Sequence, residues 1–162
     1  MIALTIADAA EMEALGARLA PLLRAGDLVL LNGELGAGKT TLARGLGAAL
    51  GARGAVTSPT FVLAREHPTV SGVPLVHVDA YRLATGREVD DLDLDYEHAI
   101  VVVEWGAGKL DGVSESWLSI DIARPLGAAG PEELDADEPR QVTITGVGRR
   151  GVELEEALRA GE

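Results

Sequence analysis

Leu28-Val29-Leu30-Leu31-Asn32-Gly33-Glu34-Leu35-Gly36-Ala37-Gly38-Lys39-Thr40-Thr41 passes from an apolar run, through a glycine-rich turn, into helix-forming sequence. The run at 28–32 has strand length and no polar alternation. That pattern suits a strand buried on both faces, as in a parallel sheet. The stretch at 39–50, KTTLARGLGAAL, reads as a helix. Between them, Gly33-x-x-x-x-Gly38-Lys39-Thr40 satisfies the Walker A pattern, and the strand before it and helix after it supply the context that motif requires. Glycines let successive N–H groups turn inward around phosphate oxygens, and a helix N-terminus adds partial positive charge. Lys39 offers a point charge to β- and γ-phosphates, and the Thr40 hydroxyl is a hard oxygen ligand for Mg²⁺. Only Lys39 and Lys109 are lysines in this chain, so a generic surface lysine in that one place is a poor alternative.

Working outward, residues 8–24 carry Met12, Leu15, Leu19, Leu22 and Leu23 at helical spacing, with Asp8 and Glu11 placed to cap the helix. Downstream, Thr57-Ser58-Pro59-Thr60 is a polar loop that Pro59 keeps from being helical. Strands are expected at 61–66 and 73–83, a short acidic helix over 86–98 with Val89, Leu92 and Tyr96 on one face, and a second fully apolar strand at 99–105. Residues 116–124 and 140–146 alternate as half-exposed strands do. The proline-rich acidic stretch at 125–139 is expected to be a mobile surface loop, and the tail from Val152 a last short helix. The pattern predicts one α/β domain over 1–162, a single-domain P-loop NTPase with a mixed, largely parallel central sheet flanked by helices.

A phosphate loop of this kind needs a carboxylate at the end of a neighbouring strand. Glu104, after Val101-Val102-Val103, and Asp79, after Leu75-Val76-His77-Val78, both qualify. Alternation puts His77 and Asp79 on one face of their strand, which admits His77 as either a site residue or a structural one. Arg82 is placed either to reach a phosphate or to form a surface salt bridge. The Ser58-Pro59-Thr60 loop occupies the position of loops that sense a γ-phosphate, or is a plain connector. Guanine specificity is disfavoured: Gly108-Lys109-Leu110-Asp111 lacks the Asn or Thr of the usual Asn/Thr-Lys-x-Asp string.

Composition narrows the remaining choices. Absence of cysteine excludes disulfide partners, thiolate catalysis and Cys-based zinc sites. His67, His77 and His98 show no paired metal-ligand spacing. The N-terminal residues lack a basic segment of signal-peptide type, and no apolar run approaches the ~20 residues that span a bilayer. The expectation is a cytoplasmic protein with no membrane partner. A net charge of −12 repels free nucleic acid, so any role near RNA runs through a local patch or a partner.

GELGAGKTT, Ser58-Pro59-Thr60-Phe61, His77-Val78-Asp79-Ala80-Tyr81-Arg82-Leu83 and Glu104-Trp105 follow one another in the order and approximate spacing of one family. Over about residues 8–124 the chain resembles the bacterial tRNA threonylcarbamoyladenosine biosynthesis ATPase family, TsaE. The resemblance implies an ATPase that binds ATP and Mg²⁺ and works with the TsaB and TsaD subunits on the modified adenosine beside the anticodon. It reaches tRNA through that complex, leaves the carbamoyl transfer to TsaD and resets the complex by hydrolysis. Carried over, Gly36, Ala37, Gly38, Lys39, Thr40 and Thr41 form the phosphate loop, and Thr40 and Glu104 hold the metal. Lys39, Asp79 and Glu104 are the catalytic set, and Thr60 and Trp105 sit near the nucleotide. Gly106-Ala107-Gly108 stands where the family often has a further acid, so none is carried over, and the 125–139 stretch is no family landmark. Two other readings stay open: a small-molecule kinase on the same fold, and a nucleotide-dependent binding module without meaningful turnover.

Overall fold

Leu28, Val29, Leu30 and Leu31 are all buried, and the reason is their place in the middle of a sheet. A computed structural model describes residues 1–54, 56, 64–80, 94–105, 114–124 and 138–161. In chain order these form β1 (Ile2–Ile6), α1 (Ala9–Leu19), a 3-10 turn (Ala20–Leu22), β2 (Leu28–Gly33) and α2 (Lys39–Ala49). There follow β3 (Ala64–His67), β4 (Leu75–Asp79), β5 (Ile100–Glu104), β6 (Trp117–Ala123), β7 (Arg140–Val147) and α3 (Gly148–Ala160). One seven-stranded sheet has the order β1-β7-β6-β2-β5-β4-β3.

The sheet is mixed, but it is not largely parallel. β6, β2, β5 and β4 run parallel to one another, whereas β1–β7, β7–β6 and β4–β3 are antiparallel. Parallel neighbours need a connection long enough to return the chain. β3 and β4 are separated by residues 68–74 alone, which is enough for a turn and too little for a crossover.

Side-chain alternation divides the core in two. Val29, Leu31, Ile100, Val102, Leu118 and Ile120 pack with Met12, Leu15 and Leu19 of α1, Leu42 and Leu46 of α2, and Leu154 and Leu158 of α3. Leu28, Leu30, Val76, Val78, Val101 and Val103 form a second, smaller cluster on the opposite face. All three described helices therefore contribute to the same face.

Local signals hold where they were strong. Asp8 accepts from Glu11 N at 2.9 Å, and the Glu11 carboxylate accepts from Ala7 N at 2.7 Å, so both acids cap α1. The final helix begins at Gly148 and not Val152, because Gly148 takes the turn out of β7 at φ +71°. Strand β1 was not legible in the sequence and pairs along its length with β7. Within the acidic segment at 86–98, residues 96–98 form a turn, and 86–93 lie outside the described residues, as do 61–63, 81–83 and 125–137.

α1 and α2 meet through glycines. A Cβ at Gly16 would lie 2.2 Å from Leu42 O, and one at Gly45 would lie 2.1 Å from Glu13 O. Backbone on backbone cannot yield by rotating a side chain, so overpacking there moves a whole helix. This contact fixes the start of α2 against the sheet. Gly16→Ala is expected to destabilise the chain by about 1–3 kcal/mol, read as a lower urea midpoint at unchanged slope. An unshifted midpoint would show that the two helices are not closely packed.

Candidate functional site

Register and alternation build the site. Asp79 pairs with Glu104 across β4 and β5, and Leu31 pairs with Glu104 across β2 and β5, so these strands end level with one another. Within β5, Glu104 shares its face with Ile100 and Val102, which pack toward the helices. The same parity puts His77 and Asp79 on the face of Leu75. All three polar groups therefore lie on the helical side, where β2 gives way to the glycine loop and α2 begins.

The loop itself turns through glycines at positive φ: Gly36 at +76° and Gly38 at +118°, the latter capping α2. Gly33 is needed for a different reason: a Cβ there would stand 2.5 Å from Ile122 O of β6. Lys39 folds over the loop and donates from Nζ to Gly33 O at 2.7 Å and to Glu34 O at 2.9 Å. The Trp105 ring covers the same ammonium, its centroid 3.8 Å from Nζ, within range of a cation–π contact. Lys39 is 5 % exposed. Burial draws its ammonium below the ordinary lysine range, while the negative charges of Glu104 and Asp79 pull the other way.

Glu104 is held by two donors. Thr40 Oγ1 donates to Glu104 Oε1 at 3.1 Å, and His77 Nε2 donates to Oε2 at 2.5 Å. That contact places the His77 proton on Nε2, and Nδ1 is buried without a hydrogen-bond partner. His77 is fully buried, so its ring has one orientation and the carboxylate has one too. The strand's next residue, Trp105, is the one non-glycine with positive φ among the described residues, at +64°. Its N–H donates to Leu31 O at 2.8 Å, which holds that conformation in place. A bulky residue in this region stores backbone strain, and such strain concentrates at functional sites.

Five of the expected site residues thus converge: Lys39, Thr40, Glu104, Asp79 and Trp105, with the loop residues Gly36, Ala37 and Gly38 around them. Thr41 lies half-buried in the first turn of α2. Thr60, Arg82 and the Gly108-Lys109-Leu110-Asp111 string lie outside the described residues. Sequence reasoning missed Arg140. From the start of β7 its Nε donates to Ala37 O at 3.1 Å. The only sequence signal was an arginine opening an otherwise alternating strand, which says nothing of its partner.

A hydroxyl and two carboxylates are hard oxygen donors suited to Mg²⁺. A lysine at a helix N-terminus suits an oxyanion. Fold and site together define an α/β protein in which Lys39, Thr40, Glu104 and Asp79 gather at the carboxyl ends of parallel strands. The chain belongs to the TsaE family: the family model described as threonylcarbamoyl adenosine biosynthesis protein TsaE matches residues 6–127. It is 56 % identical over 154 residues to the tRNA threonylcarbamoyladenosine biosynthesis protein TsaE of Streptomyces coelicolor, covering 93 % of this chain and 100 % of that one. The Bacillus subtilis protein of the same name is 38 % identical, over 86 % of this chain and 82 % of its own. A crystal structure of YdiB from B. subtilis superposes with a TM-score of 0.72 at 30 % identity, covering 99 % of this chain and 95 % of that chain. No helix among the described residues is long and apolar enough to cross a membrane.

Because the Lys39 ammonium sits against the Trp105 ring, the indole should report its charge. With Trp117 replaced by Phe, Trp105 emission is expected to titrate at alkaline pH with a midpoint below the ordinary lysine value of about 10.4. Lys39→Met should abolish the transition. A midpoint at or above the ordinary value would contradict the buried placement of Lys39.

Proposed function

We propose that the chain is a Mg²⁺-dependent ATP-binding and ATP-hydrolysing protein, and that it serves tRNA N6-threonylcarbamoyladenosine biosynthesis as the ATPase partner of a TsaB–TsaD pair. The observation that carries the nucleotide reading is the convergence of Lys39, Thr40 and Glu104 at the positive-φ glycine loop that opens α2. The pathway reading rests on family membership and on the names of the relatives.

In this reading the glycine loop is a P-loop. Its backbone N–H groups and the Lys39 ammonium bind the phosphates, and Lys39 exchanges the Gly33 and Glu34 carbonyls for phosphate oxygens. Thr40 and Glu104 hold Mg²⁺, with Glu104 oriented by His77. The metal supplies charge neutralisation on the phosphoryl group being transferred. Asp79, level with Glu104, is the acid that orients the attacking water, and the Trp105 ring, which follows Glu104, lies against the nucleotide. Thr60 completes the nucleotide contacts in the same reading.

In this reading a partner raises the rate. Hydrolysis on such a loop is limited by positioning of water and by charge neutralisation, and an absent arginine costs ~10³–10⁵ in rate. Arg140 is turned to the loop's carbonyls. Slow hydrolysis alone and faster hydrolysis with TsaB–TsaD is the expected behaviour. Tight, fast turnover by the isolated chain, indifferent to the pair, would reject the partner-dependent reading.

Lys39→Ala should weaken ATP binding ~10- to ~150-fold, the loss of about 1.5–3 kcal/mol expected for a charge-assisted hydrogen bond, as measured by calorimetry. Unchanged affinity would remove the nucleotide assignment. Glu104→Ala should leave ATP binding within a few-fold and abolish the Mg²⁺ dependence of phosphate release. Retained dependence would place the metal elsewhere.

A further inference from the structure

Arg140 lies outside the 6–127 span that defines the family match, yet it touches the centre of the site. It is 8 % exposed. Its Nε donates to Ala37 O at 3.1 Å, and one terminal nitrogen stands 3.5 Å from Gly36 O. The other terminal nitrogen donates to Glu138 O at 2.7 Å. The Glu138 carboxylate stands 3.6 Å from Arg140 and 3.2 Å from Arg124, so a single negative charge is divided between two guanidiniums.

The planar guanidinium fork has fixed donor directions, so carbonyls that meet it are fixed in direction too. On the other side, Lys39 takes the carbonyls of Gly33 and Glu34. Two cations therefore orient the carbonyls of Gly33, Glu34, Gly36 and Ala37. Across a planar trans peptide, a carbonyl and the following N–H point opposite ways. Holding Ala37 O consequently turns the Gly38 N–H to the side away from Arg140. Holding Gly36 O does the same for the Ala37 N–H, which donates to Glu34 O at 3.0 Å and closes the loop's inner turn.

We infer that Arg140 is a positioning residue for the glycine loop: by holding the Ala37 carbonyl it presets the Gly38 N–H as a phosphate donor, and by holding the Gly36 carbonyl it keeps the Ala37 N–H in the loop's inner turn. Its ligand side rests on the ATP reading above, whereas the contact itself does not. The charge matters less than the fork. A lysine at 140 keeps the charge and has no fixed pair of donor directions.

Two measurements test this on the full-length chain: hydrogen exchange of the Ala37 amide, bonded to Glu34 O, without nucleotide, and calorimetric affinity for ATP with Mg²⁺ and for tripolyphosphate. Arg140→Met should speed Ala37 exchange, by loosening its bond to Glu34 O, and weaken both ligands by the same factor, ~10-fold or more for one charge-assisted hydrogen bond. Arg140→Lys should restore Tm toward the unsubstituted value and leave most of the affinity loss in place. A lowered Tm with unchanged affinity and unchanged Ala37 exchange would overturn the inference and leave Arg140 a merely structural residue. Full recovery of affinity by Arg140→Lys would also overturn it, since charge alone would then suffice. Should Arg140→Met not fold, Arg140→Lys carries both readouts. Should the unsubstituted chain bind neither ligand, the ATP reading falls and Ala37 exchange alone decides the contact.

Discussion

The parallel register of β2, β5 and β4 is the constraint on which the site depends. It sets Leu31, Glu104 and Asp79 level with one another, where the glycine loop leaves the sheet. Since successive side chains alternate between faces, a slip of one residue would send Glu104 and His77 to the face away from α2. The register is protected by burial on both sides: Val101 and Val103 are committed to one cluster, Ile100 and Val102 to the other. Hydrophobic packing over the whole strand thus decides where a single carboxylate stands.

That carboxylate lies in surroundings that are polar but dry. Glu104 and His77 are buried, and each of the two Glu104 oxygens has a donor. Lys39 gives up hydration to lie under Trp105, and recovers hydrogen bonds from two loop carbonyls. Low local dielectric magnifies the attraction between that ammonium and the nearby charges of Glu104 and Asp79. The strained Trp105 backbone is the cost of holding the ring there, and the bond from Trp105 N–H to Leu31 O maintains it.

Glycine serves two separate purposes. Gly36 and Gly38 supply backbone conformations that L side chains avoid. Gly16, Gly33 and Gly45 let backbones approach too closely for any Cβ. The second kind ties α1, α2 and β6 into one support for the loop. Further back, Arg150 clamps buried Asp27 with two bonds of 2.9 Å and donates to Leu22 O at 2.8 Å, which anchors α3 to the entrance of β2. The loop is therefore held from its entry strand, its exit helix and, through Arg140, its outer carbonyls.

Local chemistry was legible in the sequence. An unbroken apolar run, a glycine turn, Lys39-Thr40 and a following helix depend on neighbours in the chain, so they could be read together, and strand-end acids at Asp79 and Glu104 followed from the same logic. The capping of α1 by Asp8 and Glu11 was legible for that reason too. What periodicity does not carry is the identity of a distant partner. β1 became a strand only by pairing with β7, and β3 turned antiparallel because residues 68–74 alone join it to β4. The bond from His77 to Glu104 and that from Arg140 to Ala37 join residues far apart in the chain. Only the stacking of strands in a particular order could bring those groups within hydrogen-bond distance, so tertiary structure alone decided them.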